Sequence, residues 1–306
     1  MTCRSGKLLW AVPFSLVLGL AGCSSPQQAP IPLPPEPPLT ETALAELRKP
    51  AVGDLDAIVK RGVLRILVTA SPTNYYVEAG VQGGATYAAA RTLKAFLRDA
   101  TGARDLTAAI LPVAAADLIT ALNDGRGDVV ANILITPDRE EPTVTLVPAL
   151  TNIRELVVTA PGQPRFLSLE DLEGRSIHVR KSSAHYASLQ RINQRLAQIN
   201  KPGGTIVPAD ESLTDEELLA KVAAGELPAT LVDSHIAALW KPVLNGVSIN
   251  EDVAVSQDAV VAWAVRKDSP ALLEQLNAFA KARGPATLFG AFEVQKAAQA
   301  STRAAR

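Results

Sequence analysis

Arg139 closes the run Asn132-Ile133-Leu134-Ile135-Thr136-Pro137-Asp138-Arg139, which leaves an apolar strand and turns into a helix. Thr136 is placed to cap that helix and Pro137 suits its first turn. Arg139 therefore falls just past the carboxyl end of a strand, where open α/β sheets hold their ligands. Its planar guanidinium fits a carboxylate; pairing with Asp138 or Glu141 is the competing use of the same charge. Lys181-Ser182-Ser183 repeats the arrangement further along. A strand ends there and a helix opens, so N–H groups and two hydroxyls either receive an anion or simply cap the helix. Asp233 ends the strand Thr230-Leu231-Val232 and offers its carboxylate to a ligand ammonium or to its own helix. A fork for an anion and an acid for a cation together match a zwitterion, such as an amino acid or a short peptide.

Residues for catalysis are sparse. The histidines are His178, His185 and His235, and none stands in a His-Glu-x-x-His or Cys-x-x-Cys context that would hold zinc. The sequence has no Gly-x-Ser-x-Gly elbow, phosphate loop or dinucleotide fingerprint; Gly80, Gly83 and Gly84 read as turns. Glu211-Ser212 sits in a run of carboxylates ahead of a helix cap and reads as solvated surface. His178 falls inside a strand as a packed ring, whereas His185 and His235 fall near strand-to-helix junctions, within reach of a cleft. No catalytic residue, cofactor or metal is expected. Lys+Arg 30 against Asp+Glu 31 gives a formal net charge of -1, which offers no basic face to nucleic acid. Aromatic residues make up 4%, low for a groove that stacks sugar rings.

The elements that must position these groups follow from periodicity and punctuation. With 47% hydrophobic and 20% charged residues in 306, a folded globular body is expected, and the order of its elements makes it α/β. Asp54–Arg61 reads as a helix ended by Gly62, and Val63–Val68 as a buried strand. A helix is expected over Thr86–Ala100, a strand over Leu106–Val113, a helix over Ala115–Asn123 and a strand over Asp128–Ile135. This β-α-β-α-β order implies a parallel sheet covered by helices. An extended segment at 153–159 leads to a second unit of the same kind. It comprises strand Ser176–Arg180, helix Ser183–Ile199, strand Thr205–Val207, a capping box at Thr214/Glu217, strand Thr230–Val232 and a helix to Trp240. Strand Ala259–Val265 and helices over 270–282 and 286–298 complete the chain. Two serial units joined by two extended segments predict two lobes with a double crossover hinge, 54–154 plus 258–299 and 155–257, and a cleft between them.

The first residues carry an address. Arg4 and Lys7 precede an apolar run from Leu8 to Leu20, the pattern of a secretory signal peptide over 1–22. Leu20-Ala21-Gly22-Cys23 resembles the bacterial lipoprotein box, which implies cleavage before Cys23 and its lipidation. Ser24 stands where an inner-membrane retention signal would be Asp, so the resemblance implies a periplasmic protein on the outer membrane. The two cysteines are Cys3 and Cys23, so no disulfide staples the body. Residues 23–53 form a leader whose proline-rich part is either a polyproline spacer or a disordered tail. Fifteen residues at about 3.1 Å each would span roughly 45 Å.

Several stretches bear a family likeness: Gly62-Val63-Leu64-Arg65-Ile66-Leu67-Val68, Ser71-Pro72-Thr73-Asn74-Tyr75-Tyr76, Gly125-Arg126-Gly127-Asp128, Ala131 to Arg139, Val179-Arg180-Lys181-Ser182-Ser183, Pro228 to Asp233 and Thr287-Leu288-Phe289-Gly290. In this order they resemble the type-3 periplasmic solute-binding proteins, and more closely the regulatory module of membrane-bound lytic transglycosylase F-like lipoproteins. The resemblance implies that Arg139 holds a ligand carboxylate and Asp233 an ammonium. It also implies that Tyr75, Tyr76, Ser182 and Ser183 line the cleft, with Asn132 and Thr136 contributing to binding. The lobes would close on an amino acid or cell-wall peptide, for sensing or transport with a permease or a cell-wall enzyme as partner. Leu134 departs from a usual hydroxyl and Ala88 from a usual acid. The lysozyme-like domain that follows in relatives, with its catalytic glutamate, has no counterpart after Gly290. A non-enzymatic binding protein is therefore expected; a transglycosylase or its regulatory subunit, and a ligand-free interaction module, are the alternatives.

Overall fold

The computed structural model describes residues 41–47, 49–137 and 141–290. The signal peptide, Cys23, the proline-rich leader and Arg139 lie outside the described residues. The helices are α1 (Glu41–Leu47), α2 (Leu55–Arg61), α3 (Ala85–Thr101), α4 (Leu118–Asn123), α5 (Ala184–Gln198), α6 (Asp215–Ala223), α7 (Ser234–Trp240), α8 (Pro270–Arg283) and α9 (Ala286–Phe289). The strands are β1 (Val63–Val68), β2 (Tyr76–Glu78), β3 (Val81–Gly83), β4 (Thr107–Pro112), β5 (Val129–Ile135), β6 (Val144–Thr159), β7 (Ser176–Arg180), β8 (Thr205–Ala209), β9 (Ala229–Asp233) and β10 (Ser248–Arg266).

One eight-stranded sheet runs through both lobes in the order β4-β1-β5-β10-β6-β9-β7-β8. Each lobe contributes three parallel strands, as the βαβ pattern requires. The sheet as a whole is mixed, because β6 and β10 pair antiparallel at its centre and also edge the parallel sets. A strand of 16 residues, such as β6, reaches about 50 Å, enough to serve both lobes. The expected crossovers at 153–159 and 259–265 are thus the far halves of much longer strands. Pro148 and the acids Glu251, Asp252 and Asp258 gave their near halves the look of loops.

Asn152 and Asp258 both adopt positive φ, 57° and 62°. They sit at one level of the ribbon, beside the pair Ile153–Ala259, where the register shifts. This is the level at which the two strands pass from lobe to lobe.

Packing follows from local chemistry. The Asp54 carboxylate accepts from Leu55 N at 2.8 Å, capping α2, and from Ala271 N and Leu272 N at 2.7 and 2.8 Å, capping α8. Gly62 then ends α2 in the left-handed conformation, which costs glycine little. All six residues of β1 are buried, Arg65 among them. Arg65 pairs with Asp128 at 2.9 Å and donates to the Lys49 and Ala51 carbonyls. It thereby ties segment 49–51 to the sheet. Apolar clusters cover both sheet faces in each lobe, around Leu64, Leu93, Trp263 and Phe279 in the first and Leu172, Leu189 and Leu231 in the second. Among the described residues no helix is long and apolar enough to cross a membrane.

Candidate functional site

A cavity of about 420 Å³ opens between the lobes. The first lobe lines it with Ser71 and Asn74 from the β1–α3 connection and Asn132–Leu134 from β5. The second lobe adds Arg180, Ser182–His185, Thr214–Glu216, Asp233 and His235. These are strand ends and helix starts, so the sheet topology itself gathers polar groups at one edge of the fold.

Asp233 anchors the wall. It ends β9 and precedes α7, yet its side chain makes no cap bond to that helix. Its Oδ1 lies 3.1 Å from His185 Nε2 instead. The outer nitrogen, Nδ1, faces Asp215 Oδ1 at 3.9 Å, and Asp215 is held by Arg180 Nη2 at 2.7 Å. Arg180 also donates to the Leu213 carbonyl. Behind this chain lies Glu155 on β6, directly across the ladder from Asp233 and fully buried. Neither of its carboxylate oxygens has a partner at hydrogen-bonding distance, although the neighbouring Ser188 hydroxyl helps to lower its pKa.

The charges in this cluster set one another. Burial opposes the charge on His185, but Asp215, Asp233 and Glu155 outweigh it and raise its pKa to about 10. Burial alone would raise Asp233; the hydrogen bond and charge of His185 lower it below the usual range. Glu155 stays raised, chiefly by burial, with His185 pulling it down and Asp233 pushing it up. His235 lies edge-on to Phe289 at 5.2 Å and its pKa is lowered by burial, against the pull of Asp233 and Asp215. The ligand atoms of Glu155, His185 and Asp233 all lie within 4.8 Å of one another, a set of donors that could hold a metal ion. No histidine pattern along the sequence points to it, because the three residues come from three elements.

Ser183 caps α5, accepting from Tyr186 N at 3.3 Å and donating to the Arg180 carbonyl at 2.7 Å. Ser182 bonds Glu211 through both its N–H and its hydroxyl. Both serines face the cavity at the first turn of a 15-residue helix, the end that favours an anion. Glu216, at the first turn of α6, crosses to the other lobe. It accepts from Ser71 Oγ at 3.0 Å and from Thr73 N at 3.2 Å. Trp240 Nε1 donates to Thr73 Oγ1 at 2.9 Å, a second contact between the lobes.

Three expected site residues, Tyr75, Tyr76 and Thr136, lie outside the cavity lining. Tyr75 is buried and donates to Gln82 Oε1 at 2.9 Å, and Tyr76 lays its ring over Gly83 in the β2–β3 hairpin. Neither lines the cavity. The hairpin was illegible because its Ala79-Gly80 turn lies among exposed valines, Val77 and Val81. Thr136 is buried outside the lining residues. Asn132 does reach the cavity, at φ 52°, but its amide is engaged: Nδ2 donates to Thr86 Oγ1 at 3.1 Å and Oδ1 accepts from Trp263 Nε1 at 3.2 Å. Leu134 lines the cavity as a side chain without a hydroxyl.

The chain matches the family model for bacterial extracellular solute-binding proteins, family 3, over residues 64–283. It is similar to the membrane-bound lytic murein transglycosylase F of Yersinia pestis (strain Pestoides F), 30% identical over 213 residues, 69% of this chain and 40% of that one. The chain thus spans well under half the length of that relative. Its fold matches an amino acid ABC transporter substrate-binding protein of Streptococcus pneumoniae bound to L-arginine, with a TM-score of 0.62 and 17% identity over 80% of this chain and 99% of that one. The solute receptor for L-cysteine of Neisseria gonorrhoeae matches with a TM-score of 0.62 and 21% identity, over 79% and 93%.

Proposed function

The chain belongs to the bacterial extracellular solute-binding proteins of family 3, and we propose that it is a lipid-anchored periplasmic receptor that closes on an amino acid or short cell-wall peptide. The observation that carries this reading is the cavity of about 420 Å³ between two lobes, walled by a buried carboxylate and by the first turn of α5. Structural neighbours of the same fold hold L-arginine or are named for L-cysteine. In this reading Arg139, which follows β5, takes the ligand carboxylate, helped by Ser182 and Ser183. Asp233 takes the ammonium, which must compete with His185 for the same oxygen. The lobes, 54–154 plus 258–299 and 155–257, swing about β6 and β10. Cys23 carries the acyl chains and Ser24 directs the protein to the outer membrane, for sensing or transport.

Calorimetric titration with amino acids and stem peptides tests the reading. A ligand class should bind, and Arg139→Ala should weaken it by about 2–5 kcal/mol, the cost of removing one partner of a desolvated charge pair. Unchanged affinity in that variant removes the site assignment. The reading is also non-enzymatic: release of anhydro-sugar products from purified sacculi by this chain alone would overturn it. The occupied Asp233 and the apolar Leu134 favour one second reading, a regulatory module for a cell-wall enzyme that binds no small ligand. Co-purification of such an enzyme, with no amino acid or peptide bound, would support that reading.

A further inference from the structure

We propose that Glu155, His185 and Asp233 form a site for a divalent cation of the zinc type, with its fourth coordination position opening on the cleft. The three side chains come from β6, α5 and β9, and their ligand atoms already lie within 4.8 Å of one another. Zinc bonds to nitrogen and carboxylate oxygen at about 2.0–2.2 Å, which sets tetrahedral ligand atoms about 3.4 Å apart. The His185–Asp233 pair already stands at 3.1 Å, and the Glu155 oxygen within 4.8 Å of both.

Three independent features favour a cation there. Glu155 is fully buried and both its oxygens lack a hydrogen-bond partner. A buried carboxylate in that state calls for a positive ligand. His185 turns Nε2 to the cluster, while Nδ1 faces Asp215, itself held by Arg180 at 2.7 Å. A carboxylate behind the second nitrogen is the arrangement that orients a metal-binding imidazole. Charge is the third feature. With all three carboxylates ionised, Glu155, Asp215 and Asp233 outnumber Arg180 and a protonated His185; burial relieves this by favouring the neutral form of Glu155, and a dication with a neutral imidazole would balance the group with all three ionised. The nitrogen ligand and the small number of oxygens suit zinc rather than calcium or magnesium, which prefer oxygen shells.

The site shares Asp233 with the amino-acid reading, but the two are tested separately, since zinc is titrated with no amino acid present. The full chain, free of any affinity tag, is stripped with a chelator and titrated with zinc chloride by calorimetry, with metal content read by mass spectrometry. We expect about one zinc per chain, and affinity weakened at least about tenfold by Glu155→Gln, His185→Ala or Asp233→Asn. His178→Ala, at a half-buried ring on β7 away from the cluster, serves as the control and should leave binding unchanged. Cobalt substitution of the wild-type protein should give the intense visible band of a four-coordinate site, so the proposal remains decidable if a variant fails to fold. Absence of stoichiometric zinc from the wild type overturns it. Binding that survives all three substitutions, or that disappears with His178→Ala, overturns it as well.

Discussion

His185 links three carboxylates at the cleft. It stands within reach of Asp233, Asp215 and Glu155, all pulling its charge state the same way against burial. Removing it leaves Asp233, 6% exposed, with no counter-charge at 3.1 Å. Stranding a buried ion in this way costs about 3–5 kcal/mol. His185→Ala should lower unfolding stability by that amount, read from the urea midpoint at constant m. In a double-mutant cycle with Asp233→Asn the two losses should be strongly non-additive. Additive losses would show that the contact at 3.1 Å carries little energy. Asn132 illustrates the opposite outcome: a polar residue on the cleft whose amide is spent on Thr86 and Trp263, holding α3 and β10 to β5.

The elements that join the two lobes are β6 and β10. They pair along most of their length, but the register shifts near Ala259, where Asn152 and Asp258 adopt left-handed backbone. A non-glycine residue there is strained unless its side chain is short and polar. We expect Asn152→Gly and Asp258→Gly to be tolerated within a few tenths of a kcal/mol. Asn152→Val and Asp258→Val should each cost about 1–2 kcal/mol. The valine variants should also change the lobe opening seen by small-angle scattering, because the strain falls where the strands cross between lobes. Equal stability of the Gly and Val variants would remove these two residues as the hinge.

For the molecule as a whole, the contact between lobes centres on Glu216. Burial raises its pKa; hydrogen bonding from the Thr73 side chain opposes this, and the adjacent Asp215 adds to it. The facing loop presents the Ser71 hydroxyl and the Thr73 amide, both uncharged. When the lobes part, water reaches the carboxylate and its pKa returns toward 4.5. The joined form therefore binds the proton more tightly. Its advantage is complete below the ordinary carboxylate value and is lost as pH rises through the raised one. The joined fraction of ligand-free protein should thus fall as pH rises from the ordinary carboxylate value through the raised one. Glu216→Gln should flatten that dependence. A scattering profile of the wild type that does not change with pH would count against this coupling.

Local physics was legible along the chain. Asp54, Gly62 and the Thr214/Glu217 box mark helix ends because capping acts within a few residues. Alternating βαβ runs imply parallel sheets, and Asp233 and Ser183 fall at strand ends, where a cleft forms. What the tertiary structure alone decided is which polar groups meet. Glu155 looked like one charge in an extended segment, and His185 like a ring near a junction. Only the β6–β9 register and the placement of α5 bring them to Asp233. The same holds for Tyr75 and Tyr76, drawn into a hairpin, and for the full length of β6 and β10. The reason is range: periodicity and capping report neighbours in sequence, whereas the energy of a buried charge depends on groups many residues away that share its low-dielectric surroundings.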